Sequence, residues 1–332
     1  MSAPTLRAVV VTGGNKGIGL AICDKILKDN ADTFLFLGSR DKGRGEAAVE
    51  GLSNPSRATA LLIDPCDAGS IKTAAATVQT ICADKKMQLW GLLNNAGGMG
   101  AAGKHLGSDV SGSELRLCVK LNFTGCVLVT EAFLPILGAC NGFLPRIVNV
   151  NSGAGPGFFA NASEELVAKL MDRTGTTAPL EALADGAAKA FDCGGDNDAV
   201  SEQLQGIGCL AAGMRLGGRG QFAYCLSKGL MNAWTRQVAH QQKGKVLVNS
   251  CSPGFVITDL TAPMCEARGK TPQQMNMLTP EEGARTPCYL LLDADITFTG
   301  RFYGSDGKRS PFHTRRDPDN DPEYEAPAEE EI

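Results

Sequence analysis

RAVVVTGGNKGIGL, residues 7–20, passes from an apolar, β-branched block into Gly13, Gly17 and Gly19, spaced GxxxGxG, and then into GIGLAICDKILKD, whose apolar spacing is helical. A buried strand that turns through glycines into a helix is the opening unit of a parallel α/β sheet. Glycines let the backbone turn tightly and approach a pyrophosphate, while the helix N-terminus offers unpaired N–H groups and a positive dipole end. A tight strand–helix turn would explain the same glycines without a ligand. The strand–loop–helix context favours a dinucleotide site, with Asn15, Lys16 and Ile18 as the loop's remaining candidates.

The pattern then repeats. TFLFLG reads as a strand and GRGEAAVEGL as a helix; ATALLI, DAGSIKTAAATVQTICAD and QLWGLLNN follow as strand, helix and strand. A long helix is expected within 111–138 and a strand at RIVNVN, 146–151. The alternation stops for about seventy residues and resumes with the helix around residue 224, the strand KVLVNSC, a helical PEEGARTPCYLLLDA and a last strand near GRFYG. Continuous apolar strands separated by helices imply a doubly wound parallel sheet covered on both faces. The expected organisation is a single Rossmann-like α/β domain over 1–304, with a helical insertion over 153–220.

Of 332 residues, 43% are hydrophobic and 20% charged, the balance of a globular chain with a large core. No apolar run approaches the roughly 18 residues that span a bilayer, and the N-terminus has no signal-peptide layout, so a cytoplasmic location is expected. The twelve cysteines form no CxxC pair, and His105, His240 and His313 lie far apart, so neither a metal nor a disulfide framework is expected. Most of the cysteines sit in apolar company; Cys225, beside Tyr224, is the one whose oxidation would matter. The net charge is −4, of which residues 317–332 contribute −8, leaving +4 on the rest. The region 305–332 is expected to be a disordered acidic tail. No basic stripe with interleaved aromatics points to nucleic acid.

The second strand ends LGSRD. A carboxylate there serves the ribose hydroxyls of NAD, whereas a basic residue accommodates the 2′-phosphate of NADP. Arg40 takes that place, with Lys16 as a second cation, so NADP(H) is the expected cofactor; Asp41 beside it weighs the other way.

QFAYCLSKGL, 221–230, places Tyr224 and Lys228 four residues apart on one helical face. With TGGNKGIG at 12–19, NNAG at 94–97, Ser152 after a strand, YCLSK at 224–228, Pro253-Gly254 and Thr258, the chain resembles the short-chain dehydrogenase/reductases. Within that superfamily it is most similar to the monomeric NADPH-dependent carbonyl reductases, by GGNKGIG, SRDKGRGEAAVEGL, PEEGARTPCYLLL and the long segment between Ser152 and Tyr224, whose SEELVAKLMDR resembles their inserted helix.

The resemblance implies hydride transfer from NADPH to an aldehyde, ketone or quinone. Negative charge then builds on the carbonyl oxygen, which needs a proton donor and a hydrogen-bond donor. Tyr224 would donate the proton and Ser152 would polarise the carbonyl. Lys228, a cation one turn away, is expected to lower the phenol's pKa and, by resemblance, to bond the nicotinamide ribose. Asn122 is implied to hold a water that relays protons to Lys228; the alternative is a polar residue bending its helix. Asn95, Ala96 and Gly97 are implied to line the cofactor, Asp64 to face the adenine, and Pro253, Gly254 and Thr258 to meet the nicotinamide side. NNAG could equally close a strand, and Asp64 could cap the helix beginning near Asp67.

In the insertion, Ser163 is a candidate N-cap for SEELVAKLMDR, PLEALADGAAKAF is a second helix, and FDCGGDNDAVSEQLQG with LGGRG is expected to be a surface loop, with a mobile lid as the alternative. By resemblance the insertion covers helix faces used elsewhere for tetramers, which predicts a monomer. Two other readings stay open: a narrow biosynthetic ketone reductase or alcohol dehydrogenase of the same subgroup, and an NADPH-binding sensor or scaffold without turnover.

Overall fold

The computed structural model describes residues 6–100 and 110–332; His105 lies outside them. β1 (Leu6–Val11) leads to α1 (Gly17–Asp29), β2 (Thr33–Ser39) to α2 (Lys42–Glu50), and β3 (Ala58–Leu62) to α3 (Ala68–Asp84). β4 (Met87–Asn94) precedes α4 (Gly112–Val119), which passes through a π turn at Lys120–Thr124 into α5 (Gly125–Phe133). β5 (Arg146–Val150) is followed by four helices of the insertion: α6 (Ala154–Phe159), α7 (Glu164–Met171), α8 (Thr177–Asp192) and α9 (Asn197–Gly206). The long α10 (Arg219–Gln241), β6 (Leu247–Cys251), α11 (Ala262–Arg268), α12 (Pro280–Gly283), α13 (Arg285–Leu292), β7 (Phe302–Tyr303) and β8 (Arg309–Ser310) complete the chain.

Among the described residues the strands form one sheet in the order β3-β2-β1-β4-β5-β6-β7-β8. Every pairing is parallel except β7 with β8. The order reverses between β1 and β4, and in such sheets ligands bind beyond the carboxyl ends of the strands at that point. Apolar residues alternate between the two faces. Val9, Val11, Leu35 and Leu37 pack with Ile22 and Ile26 of α1 and Leu291 of α13. Ala8, Val10, Phe34 and Phe36 pack on the side that takes α3, α5, α10 and the insertion.

Several expectations are corrected. The stretch read as a surface loop contains α9, capped by Asp196, which accepts from the N–H groups of Asp198 and Ala199 at 3.1 and 3.0 Å. Val200 and Leu204 anchor it in the core, fully buried. The helical stretch Gly112–Ile136 is, by length and composition, apolar enough to cross a membrane, contrary to the reading of the run lengths. Just over half of its apolar window is buried, because this helix packs under the sheet against α3 and α10. β8 turns back antiparallel where no strand was expected.

The acidic tail is docked rather than disordered. Glu331 pairs with Arg301 at 2.9 Å and with Arg309, and the backbone carbonyls of Glu329 and Glu331 accept from Arg173. Glu330 accepts from the Tyr324 hydroxyl at 3.0 Å and lies 4.0 Å from Arg236. Arg173, Arg236, Arg301 and Arg309 meet the tail together, a grouping that composition does not reveal. Sequence distance hides the match.

Candidate active site

Gly13 and Gly17 take φ values of +63° and +55°, the left-handed region open to glycine. Gly19 is a close approach: a Cβ there would sit 2.2 Å from the Gly13 carbonyl oxygen. Lys16 occupies the N-cap of α1 without a side-chain bond to the helix, so no side chain of its own blocks the helix's first N–H groups. These features make a cradle for an anion, and the residues fit a pyrophosphate.

Two further segments close on this loop. Asn95 donates through Nδ2 to the Thr12 and Gly13 carbonyls at 3.0 and 3.1 Å, and the N–H groups of Asn95 and Ala96 both donate to the Thr12 hydroxyl at 3.1 Å. NNAG therefore both ends β4 and holds the glycine loop in register across the switch point. Thr12 stands at the head of TGGNKGIG, where the motif by itself assigns its hydroxyl no role. From the other side, Thr258 lies 3.4 Å from the position a Gly17 Cβ would take, and Asp259 pairs with Lys16 at 2.6 Å. Gly254, at φ +88°, turns the chain into that segment after Pro253, and its N–H donates to the Ser252 hydroxyl at 3.3 Å.

Arg40 is exposed immediately after β2. Asp41 is committed elsewhere: its carboxylate accepts the Arg44 N–H at 2.8 Å as the N-cap of α2, a bond that lowers its pKa. The acid that argued for NAD is thus a helix cap. Asp64 accepts the Cys66 N–H at 2.8 Å, whereas α3 is capped by Asp67, so the alternative reading of Asp64 as its cap does not hold. Lys16 pairs with Asp259 at 2.6 Å, with both side chains exposed.

Tyr224, Lys228, Ser152 and Asn122 come from α10, the turn after β5 and the π turn, and converge beyond the carboxyl ends of β4 and β5. Ser152 lies beside the Tyr224 phenol and acts to lower its pKa. The Lys228 ammonium is buried, donates to the Val150 carbonyl at 3.3 Å and lies 5.9 Å from the centre of the Tyr224 ring. Asn122 clasps Gly98 in both directions: its Oδ1 accepts the Gly98 N–H at 2.9 Å and its Nδ2 donates to the Gly98 carbonyl at 2.7 Å. A Cβ on Gly97 would fall 2.9 Å from Asn122 Oδ1 and 3.5 Å from Lys228 Nζ, so glycine lets NNAG, Asn122 and Lys228 share one space. Asn122's side chain has a structural task, and the π turn that carries it is a backbone irregularity of the kind that gathers at functional sites.

The electrostatics correct one expectation. Burial pushes the Tyr224 phenol up to about 12, with Ser152 acting the other way, and burial pulls the Lys228 ammonium down to about 8. In the protein alone the lysine does not lower the phenol, because the same dry environment weakens the lysine's charge. Cys225 is also pushed up by burial, to about 11, which makes it a poor thiolate.

A polar frame that sequence reading did not single out sets these positions. Asn151 Nδ2 donates to the Lys228 carbonyl at 3.0 Å and to Asn232, which ties α10 to the end of β5. Asn94 reaches Asn149 at 2.9 Å, and Asn149 reaches Thr235 at 3.0 Å. Ser227 donates to the Tyr224 carbonyl at 2.8 Å and accepts from Asn122 at 3.2 Å. Asparagines inside otherwise apolar strands such as RIVNVN were the available signal.

Comparison with known proteins agrees with this layout. Residues 7–164 match the family model described as short chain dehydrogenase. The chain is 31% identical over 300 residues to carbonyl reductase (NADPH) 1 of Homo sapiens, covering 86% of this chain and 91% of that one. It is 29% identical over 324 residues to (+)-neomenthol dehydrogenase of Arabidopsis thaliana, covering 91% and 97%. Among solved structures, salutaridine reductase of Papaver somniferum superposes with a TM-score of 0.68 at 27% identity, covering 90% of this chain and 99% of that one. With the glycine cradle, the NNAG clasp and the Ser-Tyr-Lys cluster in one place, and with relatives matched over nearly their whole length, the chain belongs to the short-chain dehydrogenase family.

Proposed function

We propose that this protein reduces a carbonyl group of a small aldehyde, ketone or quinone to an alcohol with NADPH. The observation that carries the reading is the meeting of Tyr224, Ser152 and Lys228 beside the glycine cradle. A nicotinamide dinucleotide, when bound, supplies the hydride. The chain's own groups then manage the charge that develops on the oxygen. Ser152, beside the phenol, is placed to donate to that oxygen and fix its position. Tyr224, whose raised pKa keeps it protonated at neutral pH, holds the proton that the oxygen needs. Lys228 carries its charge below about pH 8 and stabilises the phenolate left behind. Asn122 keeps Gly98, and with it the floor of the site, in place.

Gly13, Asn15, Gly17, Ile18 and Gly19 would hold the pyrophosphate; Asn95, Ala96, Gly97 and Asp64 would line the rest of the cofactor, with Pro253, Gly254 and Thr258 on the nicotinamide side. Arg40 would select the 2′-phosphate, since Asp41 is engaged as a cap. The names of the relatives, a carbonyl reductase and plant enzymes of a terpenoid alcohol and of salutaridine, support a carbonyl substrate of either broad or narrow range. Nearly all of α10 from Gly220 to Ala239 is buried within one chain, which supports a monomer.

The test is oxidation of NADPH, with NADH alongside, against quinones, aromatic aldehydes, keto esters and cyclic terpenoid ketones. Turnover with NADPH preferred is expected. Several good substrates would mark a broad reductase, and a single one a dedicated ketone reductase. NADPH binding without any turnover would replace both with a sensor.

A further inference from the structure

The insertion holds a cavity that the reduction chemistry does not use. α7, α8 and the turn between them form a half-open cleft of about 550 Å³ against the distal part of α10, a volume typical of small-molecule sites. Leu166, Leu170, Pro179, Leu180, Leu183 and Ile207 form apolar walls. Leu170 and Leu180 are buried, while Ile207 is one of the few large apolar side chains left exposed.

Thr176, Lys169 and Asp172 lie among the polar lining residues, and Gln237 is the buried one. Gln237 lines the cavity, is only 3% exposed, and its carbonyl oxygen has no hydrogen-bond partner. Its Nε2 end faces Gly175, another wall residue, where an added Cβ would come within 2.5 Å. The one cation at the mouth is already paired. Lys169 pairs with Glu165 at 2.7 Å, and Asp172 accepts from the Thr174 N–H and hydroxyl at 2.9 and 2.7 Å. Gln237 lies thirteen residues beyond Tyr224 on α10, roughly 20 Å along the axis and on another face, so this cavity is separate from the candidate active site.

We propose that this cavity is a second binding site, for a neutral lipophilic alcohol or phenol whose ring system fills the apolar walls and whose hydroxyl bonds the Gln237 amide. A hydroxyl both donates and accepts, so it answers the amide in either orientation. A carboxylate would meet no unpaired cation among the wall residues. A pure hydrocarbon would leave the buried oxygen without a partner.

The test titrates the full-length protein with 1-naphthol, following its fluorescence, and with naphthalene as the probe lacking the hydroxyl. Gly186→Phe places a ring in the cavity from α8, where an added Cβ meets only Ile207 at an ordinary 3.4 Å. It should weaken 1-naphthol at least tenfold while carbonyl turnover without the probe is unchanged. Gln237→Leu should weaken 1-naphthol about tenfold and leave naphthalene unaffected. Ala182→Trp, at the exposed mouth, repeats the blocking experiment if Gly186→Phe does not fold. Absence of saturable 1-naphthol binding, equal affinity in the blocked variants, or equal loss of both probes in Gln237→Leu overturns the proposal. Retained 1-naphthol binding in Tyr224→Phe separates this site from the reduction chemistry.

Discussion

Two side chains carry opposite costs of burial. Lys228 is held from its ordinary 10.5 down to about 8, so its charged form is the disfavoured one in the folded chain. Between pH 8 and 10.5 the unfolded state binds more protons at this residue, and its contribution to stability rises with pH. Lys228→Met should therefore stabilise the protein below pH 8 by on the order of 3 kcal/mol, an advantage that fades as pH climbs to 10.5. Denaturant unfolding of both proteins across that range checks it. Activity runs the other way: reduction should fall as pH rises through about 8, when Lys228 loses its proton, while Tyr224 keeps its own until about 12. A rate that rises above pH 8 would contradict this assignment. The pairing of Tyr224 with Lys228 was legible as an i, i+4 spacing. The sign of the phenol's shift was not, because spacing says nothing about how dry the site is. Arg40→Asp should reverse the preference between NADPH and NADH, read as a ratio of kcat/KM, if Arg40 selects the 2′-phosphate.

The elements were legible where periodicity was strong, as in β1 to β5, α1, α3 and α10, because each has a continuous apolar run or a helical stripe. α9 was not. Its sequence, NDAVSEQLQG, shows only Val200 and Leu204 as apolar anchors, and its start signal, Asp196, sits in a glycine-rich run that reads as loop. Asp196→Ala removes that cap and should cost about 1 kcal/mol, measured as a shift in the unfolding midpoint. At the first turn the tolerance is smaller. Gly19→Ala would drive a methyl into the Gly13 carbonyl, so the loop must move. NADPH binding should weaken at least tenfold with the rest of the fold retained, and an unimpaired affinity would remove the loop from the cofactor site.

At the scale of the whole molecule, the sheet's switch point gathers segments that lie far apart in sequence, and this was legible because each carries a glycine or asparagine motif at a strand's end. The docked tail was not legible, since matching Glu330 and Glu331 to arginines at residues 236, 301 and 309 requires the folded body. Deleting residues 329–332 leaves the buried Arg236 and the partly buried Arg309 without their acidic partners and uncovers Gly300, on which Ile332 packs. A loss on the order of 2 kcal/mol is expected from thermal unfolding, partly screened because Glu331 is 39% exposed. The central claim is that one helical face of α10 presents the acid to a carbonyl beside the cofactor, and Tyr224→Phe tests it most directly. Single-turnover reduction and NADPH affinity would be measured on the same preparation. The account predicts a rate lower by about 10²- to 10⁴-fold with NADPH affinity nearly unchanged, and a variant that reduces carbonyls at the original rate would contradict it.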